Sequence, residues 1–140
     1  MAVPGVAYSR GVTQARVVLF GFATIYLAGV VVQFFLAGLG TFGATTFDAH
    51  RGVGFGLGLV SLVMIVLAFV GKVPRSLVAL TLTLFALNIV QFVLARIDVD
   101  EIAALHVVNA LAVVYVAHEL VQRSRRYLAA QLGERSKSAA

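Results

Sequence analysis

The chain has three histidines, and two of them recur in the same company. His50 follows Gln33 by seventeen positions, and His106 follows Gln91 by fifteen. The two glutamines sit in closely matching stretches, Val31-Val32-Gln33-Phe34-Phe35-Leu36-Ala37 and Ile89-Val90-Gln91-Phe92-Val93-Leu94-Ala95. An acidic residue lies between glutamine and histidine in both cases. Matches among apolar residues carry little information, because apolar helices resemble one another by chance. A polar residue in register, followed by a histidine in register, carries more. Imidazole is a common metal ligand, and two imidazoles facing across a bundle can hold a planar metal cofactor between them. The competing reading is that each histidine opens a helix at an interface, faces water or lipid headgroups, and binds nothing.

Other residues fall into register with this pair. Gly54 and Gly58 lie four and eight positions after His50, so on a helix they share its face. That face carries no bulk and suits a flat ring, or equally a close helix contact of the small-xxx-small kind. Asn109 lies three positions after His106 on the same face. Polar groups in an apolar span are costly and usually face the bundle interior, so Gln33, Gln91, His106 and Asn109 are expected to point inward. For the two glutamines an interhelical hydrogen bond is a sufficient alternative role. Arg51, and less directly Arg96, stand where a cofactor's carboxylates would meet the surface, and arginine suits bidentate carboxylate recognition. Asp48, Thr45 and Thr46 either orient a ligand or cap a helix. His118 is twelve positions after His106, about 18 Å along a helix and about 120° around it. No second histidine shares its depth, so it reads with Glu119 as an interfacial residue.

These residues are held by elements that composition defines. The chain of 140 residues is 61% hydrophobic and 12% charged, with mean hydropathy +0.99. A soluble domain is about 45–50% apolar and about 25% charged, and 140 residues enclose too little interior to hide the excess. Lipid is the natural solvent. Stretches without charge define four spans, roughly Val17–Leu39, Gly52–Gly71, Leu77–Ala95 and Ile102–Val121. Each approaches the ~20 residues a helix needs to cross about 30 Å of hydrocarbon. In lipid the backbone must satisfy itself, so the abundant Val, Ile and Phe form helices rather than strands. Short loops force an all-α, up-down-up-down four-helix bundle. The matched glutamine and histidine positions make it an internal parallel two-helix repeat.

Charge sets the expected orientation. Arg10, Arg16, Lys72, Arg75, Arg123, Arg125, Arg126, Arg135 and Lys137 fall on one side, nine of the eleven basic residues. Arg51 and Arg96 fall on the other with Asp48, Asp98, Asp100 and Glu101. By the positive-inside rule both termini are cytoplasmic, in a multi-pass protein of the cell membrane. The net charge of +5 then reflects topology and anionic lipid rather than nucleic acid. Residues 1–16 read as a cytoplasmic segment with no cleavable signal peptide. Residues 17–122 form the transmembrane domain. Residues 123–140 form a basic cytoplasmic tail, a frayed amphipathic helix end followed by a disordered Ser/Ala/Lys stretch. The absence of cysteine excludes disulfides, thiolate metal sites, iron–sulfur clusters and covalent haem attachment through cysteine.

Taken in order, Gln33 with Gly38, His50-Arg51, Gln91, and His106 with Ala110 resemble one four-helix half of the haem A synthase family. The resemblance spans about Val17 to Val121. It implies a cytochrome b-like membrane haem protein in which His50 and His106 ligate one haem b near the outer face. Phe47 stands at the position of that family's catalytic glutamate, and the family's cysteine pair is missing. The resemblance therefore implies haem binding without haem hydroxylation.

The sequence thus leads to a small membrane b-type cytochrome. Two axial histidines favour electron transfer over oxygen chemistry, with a quinol, an outer-face donor or a membrane redox complex as partner. The alternative is a cofactor-free accessory subunit of a larger membrane complex, in a homo- or hetero-oligomer. A transporter is the weakest reading, because no carboxylate lies in the middle of a span.

Overall fold

The computed structural model describes residues 9–139, with side chains as far as residue 134. The expected segment 1–16 lies outside the described residues for its first eight positions. Among the described residues five helices follow one another: α1 (Arg10–Thr41), α2 (Asp48–Val70), α3 (Arg75–Leu94), the single turn α4 (Asp100–Ala103) and α5 (Leu105–Ala139). Four helical stretches, at Arg10–Thr41, Asp48–Val70, Arg75–Leu94 and Asp100–Glu134, are long and apolar enough to cross a membrane. The chain therefore has the build of a multi-pass membrane protein. α1 packs on α2, α2 on α3, α3 on α5, and α5 closes on α1. This ring is a four-helix bundle in which α2 and α5 stand diagonally opposite.

The first and last helices run past the expected spans. α1 begins at Arg10 and reaches Thr41, so basic residues expected in a flanking segment belong to the helix. At the other end, α5 runs unbroken to Ala139 instead of giving way to an irregular tail. Ala, Gln, Glu, Lys and Arg dominate that stretch, and all are good helix formers. The Ser/Ala/Lys composition that suggested irregularity does not oppose a helix already nucleated in the bundle. The acidic loop after α3 also holds structure, because α4 takes up Asp100 and Glu101. A break at Ala104, bridged by a tight bond from the Val107 N–H to the Ala104 carbonyl (3.1 Å), separates α4 from α5.

The connections explain themselves locally. α1 ends where the N–H of Phe42 and of Ala44 return to Gly38 and Leu39, both at 2.9 Å, and Gly43 turns the chain at φ +71°. At the other end of the bundle, Gly71 and Val73 donate back into α2. Pro74 lacks an N–H and stands directly before α3, the position where that loss costs nothing.

Leu19, Ala23 and Tyr26 of α1, Met64 and Ala68 of α2, Leu77 and Leu84 of α3, and Ala117 and Leu120 of α5 form a close-packed core. Phe35, Phe69, Val93 and Leu111, one from each long helix, are more than half exposed. A helix apolar on every side is at home in lipid. A buried polar bridge crosses this core, with Asn88 Nδ2 donating to Tyr26 Oη at 2.6 Å and to the Leu84 carbonyl at 2.9 Å. Replacing Asn88 with Leu strands the tyrosine hydroxyl, and we expect a loss of about 1 kcal/mol in SDS unfolding. The Tyr26→Phe/Asn88→Leu pair should give back about 0.6 kcal/mol or more of the summed single losses, the coupling usual for such bonds in lipid.

The core does not run the full length of the bundle. Among the described residues, no side chain in 31–56 or 89–112 is fully buried. The packed region ends at Val30, Leu57, Asn88 and Val113. Beyond it, all four long helices continue for roughly two turns or more at 3.6 residues per turn.

Candidate functional site

His50 and His106 meet at that end of the bundle. They open α2 and α5, the diagonal pair, and their ring centres are 6.2 Å apart with planes inclined at 57°. Each is half-buried. Each ring also makes the same bond to the preceding long helix. His50 Nδ1 lies 3.2 Å from the Gln33 carbonyl, and His106 Nδ1 lies 3.2 Å from the Gln91 carbonyl. A carbonyl only accepts, so Nδ1 carries the proton in both rings. That leaves Nε2, on the other edge, with its lone pair. A backbone carbonyl on the far nitrogen is the usual way a metal-ligating histidine is oriented.

The separation can be tested against coordination chemistry. Metal–nitrogen bonds are about 2.0–2.1 Å, and the ring centre is about 1.1 Å beyond the nitrogen, so two imidazoles on opposite sides of one metal have centres about 6 Å apart. The observed pair stands at that spacing. Among the described residues no group of three or more His, Asp or Glu is placed to hold a metal ion. Two imidazoles alone suit a metal that arrives with its remaining ligands in a ring.

The glutamine side chains behave differently in the two halves. Gln91 Nε2 donates to the His106 carbonyl at 3.1 Å, and Gln91 Oε1 accepts from Asn109 Nδ2. Asn109 Nδ2 also reaches the Leu87 carbonyl at 3.0 Å. Gln91, His106 and Asn109 therefore form one network, all inward as their spacing suggested. Gln33 is inward too, but its Oε1 is buried without a hydrogen-bond partner. The position three beyond His50 is Val53, which has no donor.

The glycines expected to flank a ring have neighbours of their own. A Cβ on Gly54 would stand 2.7 Å from Gln33 Nε2, and one on Gly58 would stand 3.0 Å from the Phe92 ring. Gln33 and Phe92 thus take the space beside the two glycines. Arg51 points to the surface, largely exposed, and pairs with Asp48 at 3.4 Å. Thr46 Oγ1 donates to the same carboxylate at 2.8 Å, which ties the start of α2. Arg96 is exposed and lines a shallow open groove with Ile89, Phe92, Val93 and Ile97. Neither arginine is brought against the histidine rings. His118 is exposed on α5, where it accepts at 3.4 Å from Gln122.

Phe47 was not singled out for contact, yet its ring stands edge-on to His50 with centres 6.1 Å apart. It also covers Gly40, where a Cβ would meet it at 2.7 Å. Asn88 and Tyr26 likewise escaped notice. Asn88 carried a signal, as one of the few polar residues inside the third apolar stretch.

The fold and this end of it define a class: a four-helix membrane bundle with a facing histidine pair at one end. Residues 33–98 match DUF6220, a family of unknown function. The match takes in Gln33, His50 and Gln91 and stops short of His106. No curated protein and no solved structure matches the chain.

Proposed function

We propose that the protein is a small b-type cytochrome of the cell membrane that holds one haem b between His50 and His106 and passes electrons. The observation that carries this reading is the pair of imidazoles 6.2 Å apart, each with Nδ1 on a backbone carbonyl of the neighbouring helix. That no side chain in residues 31–56 or 89–112 is fully buried also supports it. The shared glutamine–histidine pattern supports an internal two-helix repeat, with the halves related about the bundle axis. The basic residues support cytoplasmic termini, which puts the histidines near the outer face.

Haem, when bound, supplies reversible one-electron chemistry at iron. The protein's part is to fix both imidazoles by their Nδ1 bonds, to keep their proton off Nε2, and to exclude bulk water with the apolar ends of four helices. His50 and His106 would both hold the group through nitrogen, an arrangement that would favour exchange of electrons over oxygen chemistry. A quinol in the outer leaflet or a redox protein at the outer face is the partner we propose. On this reading the likeness to half of a haem A synthase is one of cofactor holding.

The test is the absorption spectrum of detergent-purified protein, as isolated and after titration with hemin and reduction by dithionite. A sharp Soret band with split visible bands on reduction is expected. A protein that stays colourless and leaves the hemin spectrum unchanged overturns the cytochrome reading and leaves a cofactor-free membrane subunit.

A further inference from the structure

The two histidines are alike in their rings and unlike in what stands behind them. His106 is held twice by Gln91, through its own Nδ1 at 3.2 Å and through its carbonyl at 3.1 Å. Gln91 is in turn fixed by Asn109, which is anchored on the Leu87 carbonyl at 3.0 Å. His50 has one such bond, from Nδ1 to the Gln33 carbonyl at 3.2 Å. The Gln33 side chain makes no return bond to His50, and its Oε1 is buried without a partner. The segments before the rings differ as well. His106 is preceded by the helical turn α4, whereas His50 follows a six-residue connection turned by Gly43 at φ +71°.

We propose that His106 is the fixed axial ligand and His50 the exchangeable one, so that the site admits a small uncharged diatomic molecule on the His50 side. This rests on the haem reading above. Partners behind a ligand typically change metal affinity about 10–100-fold when lost. The His50 half lacks natively what the His106 half has. An open axial position is what separates ligand binding from pure electron transfer. Displacement needs the imidazole to swing on its Gln33 bond and to leave the edge-on ring of Phe47, which is itself exposed. No fully buried side chain in residues 31–56 holds it back.

Carbon monoxide is the probe, added to hemin-loaded, dithionite-reduced protein, with the Soret shift followed in time. The native protein is expected to take up carbon monoxide, and the haem that His50→Ala retains to bind it at least about tenfold faster. His106→Ala should retain haem about tenfold less well than His50→Ala. Val53→Asn, which places a donor where the other half has Asn109, should slow carbon monoxide uptake several-fold while leaving the reduced spectrum intact. A reduced native spectrum untouched by carbon monoxide, or equal haem retention by the two alanine variants, overturns the inference and leaves the cytochrome intact. A protein that takes up no hemin at all overturns the cytochrome reading, and this inference with it.

Discussion

Removing both imidazoles, as His50→Ala with His106→Ala, is expected to lower hemin affinity by at least about a hundredfold and to leave the bundle folded. The two halves of that expectation have different physical sources. Loss of a supporting residue behind a ligand already costs about 10–100-fold in metal affinity, and here both ligands themselves are gone. The fold depends on them little. Each histidine makes one bond to a carbonyl, and a net hydrogen bond contributes about 0.5–1.5 kcal/mol. Both rings are half-buried at the end where no side chain in residues 89–112 is fully buried. The close-packed core from Leu19 to Leu84 and Leu120 lies elsewhere. Unchanged helix content by circular dichroism, with hemin uptake lost, is therefore the expected pair of results. If the double variant takes up hemin as the native chain does, the dye is dissolving in detergent or in an apolar groove, and the histidines serve some other purpose.

The sequence made the bundle legible because gaps between charges mark spans directly, and lipid permits little else than helices inside them. It made the histidine pair legible because polar residues are scarce enough for a register to show. The ends of the helices were less legible. Lipid sets how much of a helix must be apolar, not where the helix stops, so α1 and α5 run past the spans at Arg10 and Ala139. The unlike support behind the two histidines was hidden for another reason. Asn109 and Val53 hold corresponding positions, but only the backbone path shows that Asn109 reaches both Gln91 and Leu87. Gly54 and Gly58 were read as an open face, and the structure fills that face with Gln33 and Phe92. A glycine gives the sequence no means of saying which neighbour takes its space.

Arg16 shows the same limit at the opposite end of the bundle, with a measurable consequence. By position it is one basic residue among nine on its side, and its charge alone accounts for it there. In the structure it is 2% exposed. Its Nε donates to the Gly71 carbonyl at 2.7 Å, and its guanidinium carbon stands 5.3 Å from the centre of the Tyr127 ring. One side chain thus joins α1, the turn between α2 and α3, and α5. A hydrogen bond from a charged group contributes about 1.5–3 kcal/mol, and a cation over a tyrosine face adds about 0.5–2 kcal/mol. Arg16→Ala is therefore expected to cost about 3 kcal/mol, roughly a hundredfold in the unfolding equilibrium, read by SDS titration of the detergent-solubilised protein. Arg16→Lys is the informative companion. Lysine keeps the charge and lacks the planar fork that bonds and stacks at once, so a loss of more than half the alanine effect is expected. Gly71→Ala should act in the same direction, since its Cβ would stand 2.9 Å from the Leu67 carbonyl and 3.3 Å from Arg16 Cγ. A lysine variant as stable as the native chain would return Arg16 to the role its position first suggested, a cation that orients the protein in the membrane and nothing more.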